Sequence, residues 1–182
     1  MTGVQTCALP ILLSITKIAD GSVKLRLSDQ VVDDIVSESL RHIDRRSAEH
    51  HITVDCGDVP LLVRVDAGLI MQVLINLVNN AVKYTPAGSN IRITAIRRGN
   101  AAEICVSDNG HGIPDELKER VFEMFFTGGN PIGDSRRSLG LGLTLCQAIL
   151  HAHNGEMTLK DNLPRGCIFS FTVPLSEVNL NE

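Results

Sequence analysis

Residues 71–84, MQVLINLVNNAVKY, carry Asn76, Asn79, Asn80 and Lys83 among mostly aliphatic neighbours. On a helical wheel at about 100° per residue, Ile70, Val73, Leu74, Leu77 and Ala81 share one side. Gln72, Asn76, Asn79, Asn80 and Lys83 share the other. Gln72, Asn76, Asn80 and Lys83 succeed one another at i, i+4, i+8 and i+11, a straight row along the helix. One reading is the solvated face of an ordinary amphipathic helix. The residue types support a second. Solvated faces favour Glu, Lys and Arg, whereas each Asn costs about 0.5 kcal/mol or more against Ala. A cluster of poor helix formers is a local conflict of the kind that marks functional sites. An Asn carbonyl is a neutral oxygen donor, suited to a Mg²⁺ that keeps waters and phosphate ligands. Lys83, one turn beyond Asn80, adds a point charge for phosphate. Such a row could hold a metal–triphosphate group against the helix side.

Two glycine clusters follow. SDNGHGIPD, residues 107–115, comes after an alternating strand. By itself Asp-Asn-Gly is a turn signal, with Gly110 and Gly112 able to take positive φ. Alternatively, the turn lets a flat ring lie close to backbone. Asp108 would then accept a hydrogen bond from an exocyclic amine such as adenine's, and Ile113 would cover the ring face. SLGLGLTL, residues 138–145, opens a helix. There Gly140 and Gly142 let backbone N–H groups approach a phosphate at a helix N-terminus. Arg136 and Arg137 stand just before it. The chain has neither a G-x-x-x-x-G-K-[ST] loop nor the three-glycine dinucleotide fingerprint.

These segments need a scaffold, and the 182 residues suffice for one domain with a core and some extra chain. Hydrophobic residues are 43% and aromatics 3%, so aliphatic side chains must fill the interior. The net charge of −4 leaves no basic footprint for nucleic acid. Five cysteines, at 7, 56, 105, 146 and 167, contain no C-x-x-C pair and suggest neither a zinc ribbon nor a disulfide framework. Cys105 and Cys146 read as buried thiols in a reducing, cytoplasmic setting. No run approaches the ~18 apolar residues of a membrane span. Residues 1–11, MTGVQTCALPI, resemble the in-frame translation of a common sequencing-library adapter, with GTG read as the start codon. They are set aside from fold reasoning, and the natural chain is expected to run from near Leu12.

Along the rest, LLSITKIADG reads as the end of a helix stopped near Gly21. VKLRL alternates up to Ser28, a plausible N-cap for a helix over 29–50 with Val31, Ile35, Leu40 and Ile43 near one face. HITVDC and LLVRV are short strands, and Asp66 caps the helix of the amide row. NIRITAIRR and AEICVSD form a hairpin at Gly99-Asn100. DELKERVFEMFF is a short helix after Pro114, and 127–138 is a polar, glycine-rich loop without periodicity. A helix over LGLGLTLCQAILHAHNG ends at Asn154-Gly155, and EMTLKD and CIFSFTVPL form a last hairpin. The sum is an α+β domain, with helices on one face of a mostly antiparallel sheet.

The order of these pieces resembles the ATP-binding catalytic domain of sensor histidine kinases. QVLINLVNNAVKYTPAG is similar to that family's N box, VSDNGHGIP to its first glycine box, VFEMFF to its F box and LGLGLTLC to its second glycine box. The resemblance runs from about residue 20 to 175, and within it the KdpD osmosensitive kinases look most alike. It implies the Bergerat fold, a two-layer α/β sandwich whose mixed, mostly antiparallel sheet is covered on one face by three helices. It implies Asn80 as the Mg²⁺ ligand with Asn76 beside it, Lys83 on phosphate, and Tyr84 near the base or ribose. Asp108 would read adenine in a pocket shaped by Gly110, Gly112 and Ile113. Phe122 and Phe126 would anchor a mobile ATP lid over about 127–139. Arg137, Gly140, Leu141, Gly142 and Leu143 would close on the nucleotide. Two positions depart from the pattern: Ser138 stands where the second glycine box usually begins with Gly, and Asn154 replaces a frequent Gly.

The same resemblance implies a domain over residues 21–176, a remnant of the dimerisation helix over 12–20, and a tail over 177–182. The family's phosphate acceptor is a His before an acidic residue on an upstream hairpin, and no H-E/D-L-R-T-P pattern occurs here. The chain is therefore expected to hold ATP without the group it phosphorylates, to serve a response regulator downstream, and to belong to a parent in the bacterial inner membrane. Related ATP hydrolases and serine kinases of the GHKL superfamily carry a Glu four residues before the metal Asn. Here that position is Asn76, which is no base. Such an ATPase or serine kinase, or a non-catalytic nucleotide-binding module, is the competing expectation.

Overall fold

A computed structural model describes residues 5–126 and 140–177. Helix α1 (Gln5–Ala19) includes the expected LLSITKIA and extends back across Pro10. Gly21, at φ +67°, ends it as anticipated.

The next segment corrects the sequence-based expectation. Ser28 caps no helix. It begins β1 (Ser28–Val31), which pairs antiparallel with β3 (Leu62–Val65), Ser28 opposite Val65. A distant strand supplies ladder partners that outweigh the local cap signal. Helix α2 (Val32–Leu40) starts three residues later than a cap at Ser28 suggests and stops ten short of His50. Beyond it, Asp44 caps a 3₁₀ turn, Arg45–Glu49, by accepting the Arg46 N–H at 2.8 Å. The N–H of Asp44 in turn donates to Asn79 Oδ1 at 2.8 Å.

The main sheet has the order β2-β4-β5-β7-β6. Its strands are β2 (His51–Asp55), β4 (Asn90–Arg98), β5 (Ala101–Asp108), β6 (Met157–Asp161) and β7 (Cys167–Pro174). Only the β2–β4 pairing is parallel. Gly99, at φ +59°, makes the expected β4–β5 turn. Ile91, Ile93, Ile104, Val106, Phe169 and Phe171 point to one side of the sheet and are buried. Arg92 and Ile96 alternate with them onto the open side, the period-two pattern of a sheet covered on one face.

That face is covered by α2, α3 (Ala67–Tyr84) and α5 (Gly142–Ala152), with α1 lying on α5. Asp66 caps α3 as expected, accepting the Leu69 N–H at 3.3 Å. Ile70, Val73, Leu74, Leu77 and Ala81 are all buried, joined by Val78 and Val82. Each such aliphatic side chain contributes about 1.5–3 kcal/mol on burial, so the apolar stripe fixes how α3 is rotated. Helix α5 ends with the Asn154 N–H on His151 O and the Gly155 N–H on Leu150 O. Asn154 sits at φ +56°, completing a Schellman motif where Gly is more usual. The expected DELKERVFEMFF helix is shorter than the sequence suggests. It splits into α4 (Asp115–Lys118) and a 3₁₀ turn, Arg120–Phe122, and the chain then kinks at Phe125, φ +63°. Cys146 is fully buried, whereas Cys105 is only half-buried, on the open side beside Ser170 Oγ at 3.2 Å.

Candidate functional site: a cavity between the amide helix and the sheet

A cavity of about 470 Å³ opens between α3, the end of β5, and the start of α5. Asn76, Asn80 and Tyr84 line it from α3, together with Leu77 and Ala81. The spacing is i, i+4, i+8, so one face of the helix supplies all three polar side chains. Asp108 enters from the end of β5, and Gly112, Ile113, Phe126, Gly140, Leu141, Gly142 and Leu143 complete the expected set.

Three expected residues lie beside the cavity and do not line it. The Lys83 ammonium rests 5.1 Å from the centre of the Tyr84 ring. Gly110 is buried beneath the turn, where a Cβ would meet Thr85 Cγ2 at 2.7 Å. Phe122 packs edge-on to Phe169, ring centres 6.4 Å apart, and its carbonyl accepts from Thr144 Oγ1 at 3.1 Å. Phe122 thus pins the segment before residue 127 to α5 and β7. Arg137, Ser138 and the expected lid over 127–139 lie outside the described residues.

Asp108 has the surroundings of a recognition carboxylate. Burial pushes its pKa up, against the backbone N–H groups of Gly110 and Cys167 and the charge of His111, which pull it down. The Gly110 N–H donates to Oδ1 at 2.9 Å. An acceptor held in a partly desolvated site discriminates strongly for a ligand N–H.

Asn76 and Asn80 differ in their surroundings. Asn76 leans on the first turn of α5: a Cβ on Gly142 would sit 2.8 Å from its Oδ1, and its amide lies close enough to the Cys146 thiol to bear on its protonation. Asn80 is half-buried on the cavity wall, and its side chain has no hydrogen bond among the described residues. Gly140, at φ +65°, packs so closely that a Cβ would lie 2.6 Å from the Phe125–Phe126 backbone. That glycine joins the start of α5 to the end of the Phe122 segment.

Sequence reasoning missed several lining residues: His111, Leu117, Val121, Leu145, Cys167 and Phe169. Leu117 and Val121 are spaced i, i+4, and Cys167 and Phe169 alternate along β7. Both patterns signal an apolar face without saying that the face borders a cavity. Burial pushes the Cys167 thiol up to about 11, so it stays protonated at neutral pH.

The chain belongs to the family described as histidine kinase-, DNA gyrase B-, and HSP90-like ATPase, whose model matches residues 65–177. Within that family it is an ATP-binding catalytic domain of the sensor histidine kinase type. The sensor protein KdpD of Clostridium acetobutylicum is 36% identical over 163 residues, covering 90% of this chain and 18% of the relative. The catalytic domain of histidine kinase ThkA superposes with a TM-score of 0.72 at 29% identity, over 82% of this chain and 95% of that one. ThkA in complex with response regulator protein TrrA matches with a TM-score of 0.68 at 28% identity, over 94% of this chain and 49% of that one. The chain thus spans less than a fifth of the length of KdpD.

Proposed function

We propose that this chain binds ATP with Mg²⁺ in the cavity beside α3 and passes the γ-phosphate to a histidine on a dimerisation hairpin of the same kinase. The observation that carries this is the convergence of Asn76, Asn80 and Tyr84 with Asp108 on one cavity. Asp108 accepts the exocyclic amine of adenine, and Ile113 covers the ring. Tyr84 lies toward the base or ribose. Lys83 reaches past Tyr84 to the phosphates, and Gly140 to Leu143 present backbone to them at the start of α5.

The donor set suits Mg²⁺ better than a metal that needs an all-protein cage. Among the described residues no group of three or more His, Cys, Asp or Glu could hold a metal ion. The unengaged carboxamide of Asn80 would supply one oxygen, with Asn76 close by, and water and phosphate would supply the rest. When bound there, Mg²⁺ would supply charge neutralisation to the phosphoryl oxygens. Asn80 holds that end of the nucleotide, while Asp108 fixes the other. The acceptor imidazole attacks with its own lone pair, so the N–P bond forms as the bond to ADP breaks. No carboxylate base stands at position 76, which supports a histidine acceptor over water or serine.

Residues 12–20, within α1, represent the tail of the second hairpin helix, and residues 21–176 the catalytic domain. Residues 1–11 represent adapter-derived sequence. The phosphate would pass onward to a response regulator, a reading supported by the ThkA likeness. No helix among the described residues is long and apolar enough to cross a membrane. We assign the domain to the cytoplasmic side of a membrane-bound parent.

The test is labelling with γ-³²P-ATP. This chain alone should not label itself, but should label an added hairpin from its parent kinase in the presence of Mg²⁺. Self-labelling on His42 or His151 would overturn the assignment.

A further inference from the structure

Asp108 is the last residue of β5, and the sheet gives out around it. On one side, the β5–β7 ladder ends at Ser107 opposite Ile168. On the other, the β4–β5 ladder ends at Ile91 opposite Asp108. A backbone at a sheet terminus has carbonyls and N–H groups without ladder partners. Two asparagine side chains meet that need here. The Asn109 carboxamide accepts the Asn90 N–H at 2.9 Å on the β4 side. On the β7 side, Asn162 Nδ2 donates to the Asp108 carbonyl at 2.7 Å.

Asn162 is itself held. Its N–H donates to Gly166 O at 3.0 Å, closing the β6–β7 turn. Next to it, Asp161 is bound by the Lys118 ammonium at 2.7 Å, and Lys118 also holds Asp115 at the start of α4. The turn presses on Asp108 so closely that a Cβ on Gly166 would fall 1.9 Å from the Asp108 carbonyl oxygen. Gly166 at φ +116° is therefore required twice, for its conformation and for the approach.

We infer that Asn162 is a positioning residue for nucleotide selectivity: its amide fixes the Asp108 backbone so that the carboxylate faces adenine, which presupposes that Asp108 reads the base. Asn162 does not line the cavity. It lies in the β6–β7 turn, outside the cavity lining to which β7 contributes Cys167 and Phe169, and acts through the peptide that carries the carboxylate. Without the donor, the Asp108–Asn109 peptide is held less firmly, and the carboxylate loses some of its aim. The Lys118 bridge ties the same turn to α4, so the adenine end of the cavity and the Phe122 segment share one support.

The experiment measures ATP and GTP dissociation constants for the full 182-residue chain, as wild type, Asp108→Asn, Asn162→Ala and Asn162→Asp. The Asn162→Asp variant keeps the size of the side chain and removes the donor. A variant that merely folds less well loses the same fraction of both affinities, so the ratio of the two constants is blind to stability. Asp108→Asn should abolish the preference for ATP. Both Asn162 variants should shrink it by about 5- to 10-fold, with the loss falling on ATP. A wild-type ratio in both Asn162 variants, alongside a lost preference in Asp108→Asn, would overturn the positioning role alone. A wild-type ratio in Asp108→Asn would remove the base-reading role, and the role of Asn162 with it.

Discussion

His153 Nε2 accepts the backbone N–H of Asp66 at 3.1 Å, joining the end of α5 to the start of α3. The other ring nitrogen, Nδ1, lies 2.7 Å from the Ile149 carbonyl and so carries the proton. Asp66 meanwhile caps α3 and accepts the Arg26 N–H at 3.0 Å through Oδ2. One buried imidazole thereby ties the two helices that border the cavity. His153→Ala should cost about 2–4 kcal/mol, from an unpaired buried N–H plus a void. Urea unfolding measures this, and Asn or Gln at 153 should recover part of the loss.

Asp108 sets opposite pH dependences for the free and bound protein. Burial raises its folded pKa above the ordinary 3.8. The stability it lends is fully present below the unfolded value and is lost as pH rises through the folded value. In the proposed binding mode the ionised carboxylate is the stronger acceptor for adenine's amine, so ATP affinity should rise over that same window. Melting curves without nucleotide should decline across the window, and ATP titrations should climb. Asp108→Asn should flatten both. An Asp108→Asn melting profile that keeps the wild-type pH slope would reassign it to another group.

The neighbouring amides Asn79 and Asn80 should separate cleanly. Asn79→Ala removes the acceptor for the Asp44 N–H and should cost about 1 kcal/mol, with ATP affinity unchanged. Asn80→Ala removes a side chain with no hydrogen bond among the described residues, so stability should move by less than about 0.5 kcal/mol. Its effect should appear in the Mg²⁺ titration, where nucleotide affinity loses its dependence on the metal. Equal Mg²⁺ dependence in both variants would reject Asn80 as the ligand.

Gly140→Ala should damage the site more than Gly142→Ala. A methyl at 140 strikes backbone at 2.6 Å and strains a φ of +65°. A methyl at 142 meets only the Asn76 amide, 2.8 Å away, which can swing. We expect Gly140→Ala to lower ATP affinity and melting temperature together, and Gly142→Ala to lower affinity with a smaller stability change. Calorimetry on both variants checks the order.

Ile11 lines the rim of the cavity, although residues 1–11 are assigned to an adapter. A chain starting at Leu12 should bind ATP with unchanged affinity within about twofold, the scatter expected for a surface contact. A larger loss would show that Ile11 takes part in the site.

Much of this molecule was legible along the chain, because local rules governed it. The buried stripe of α3, the Asp66 cap, the Gly99 hairpin and the left-handed Asn154 all follow from periodicity and turn chemistry over a few residues. The four motifs in register were enough to place the chain in its family. Tertiary structure decided what depends on distant partners. Ser28 became a strand residue because Val65 lay beside it. Asn79 and Asn80, adjacent and chemically identical, were divided between support and cavity wall by a rotation of one position on α3. His111, just after β5, and Cys167 and Phe169, on β7, entered the cavity because β7 pairs alongside β5. Asn162 reached the Asp108 carbonyl only because the sheet ends there. Sequence spacing specifies which face a residue occupies, but what that face meets is set by packing across the whole domain.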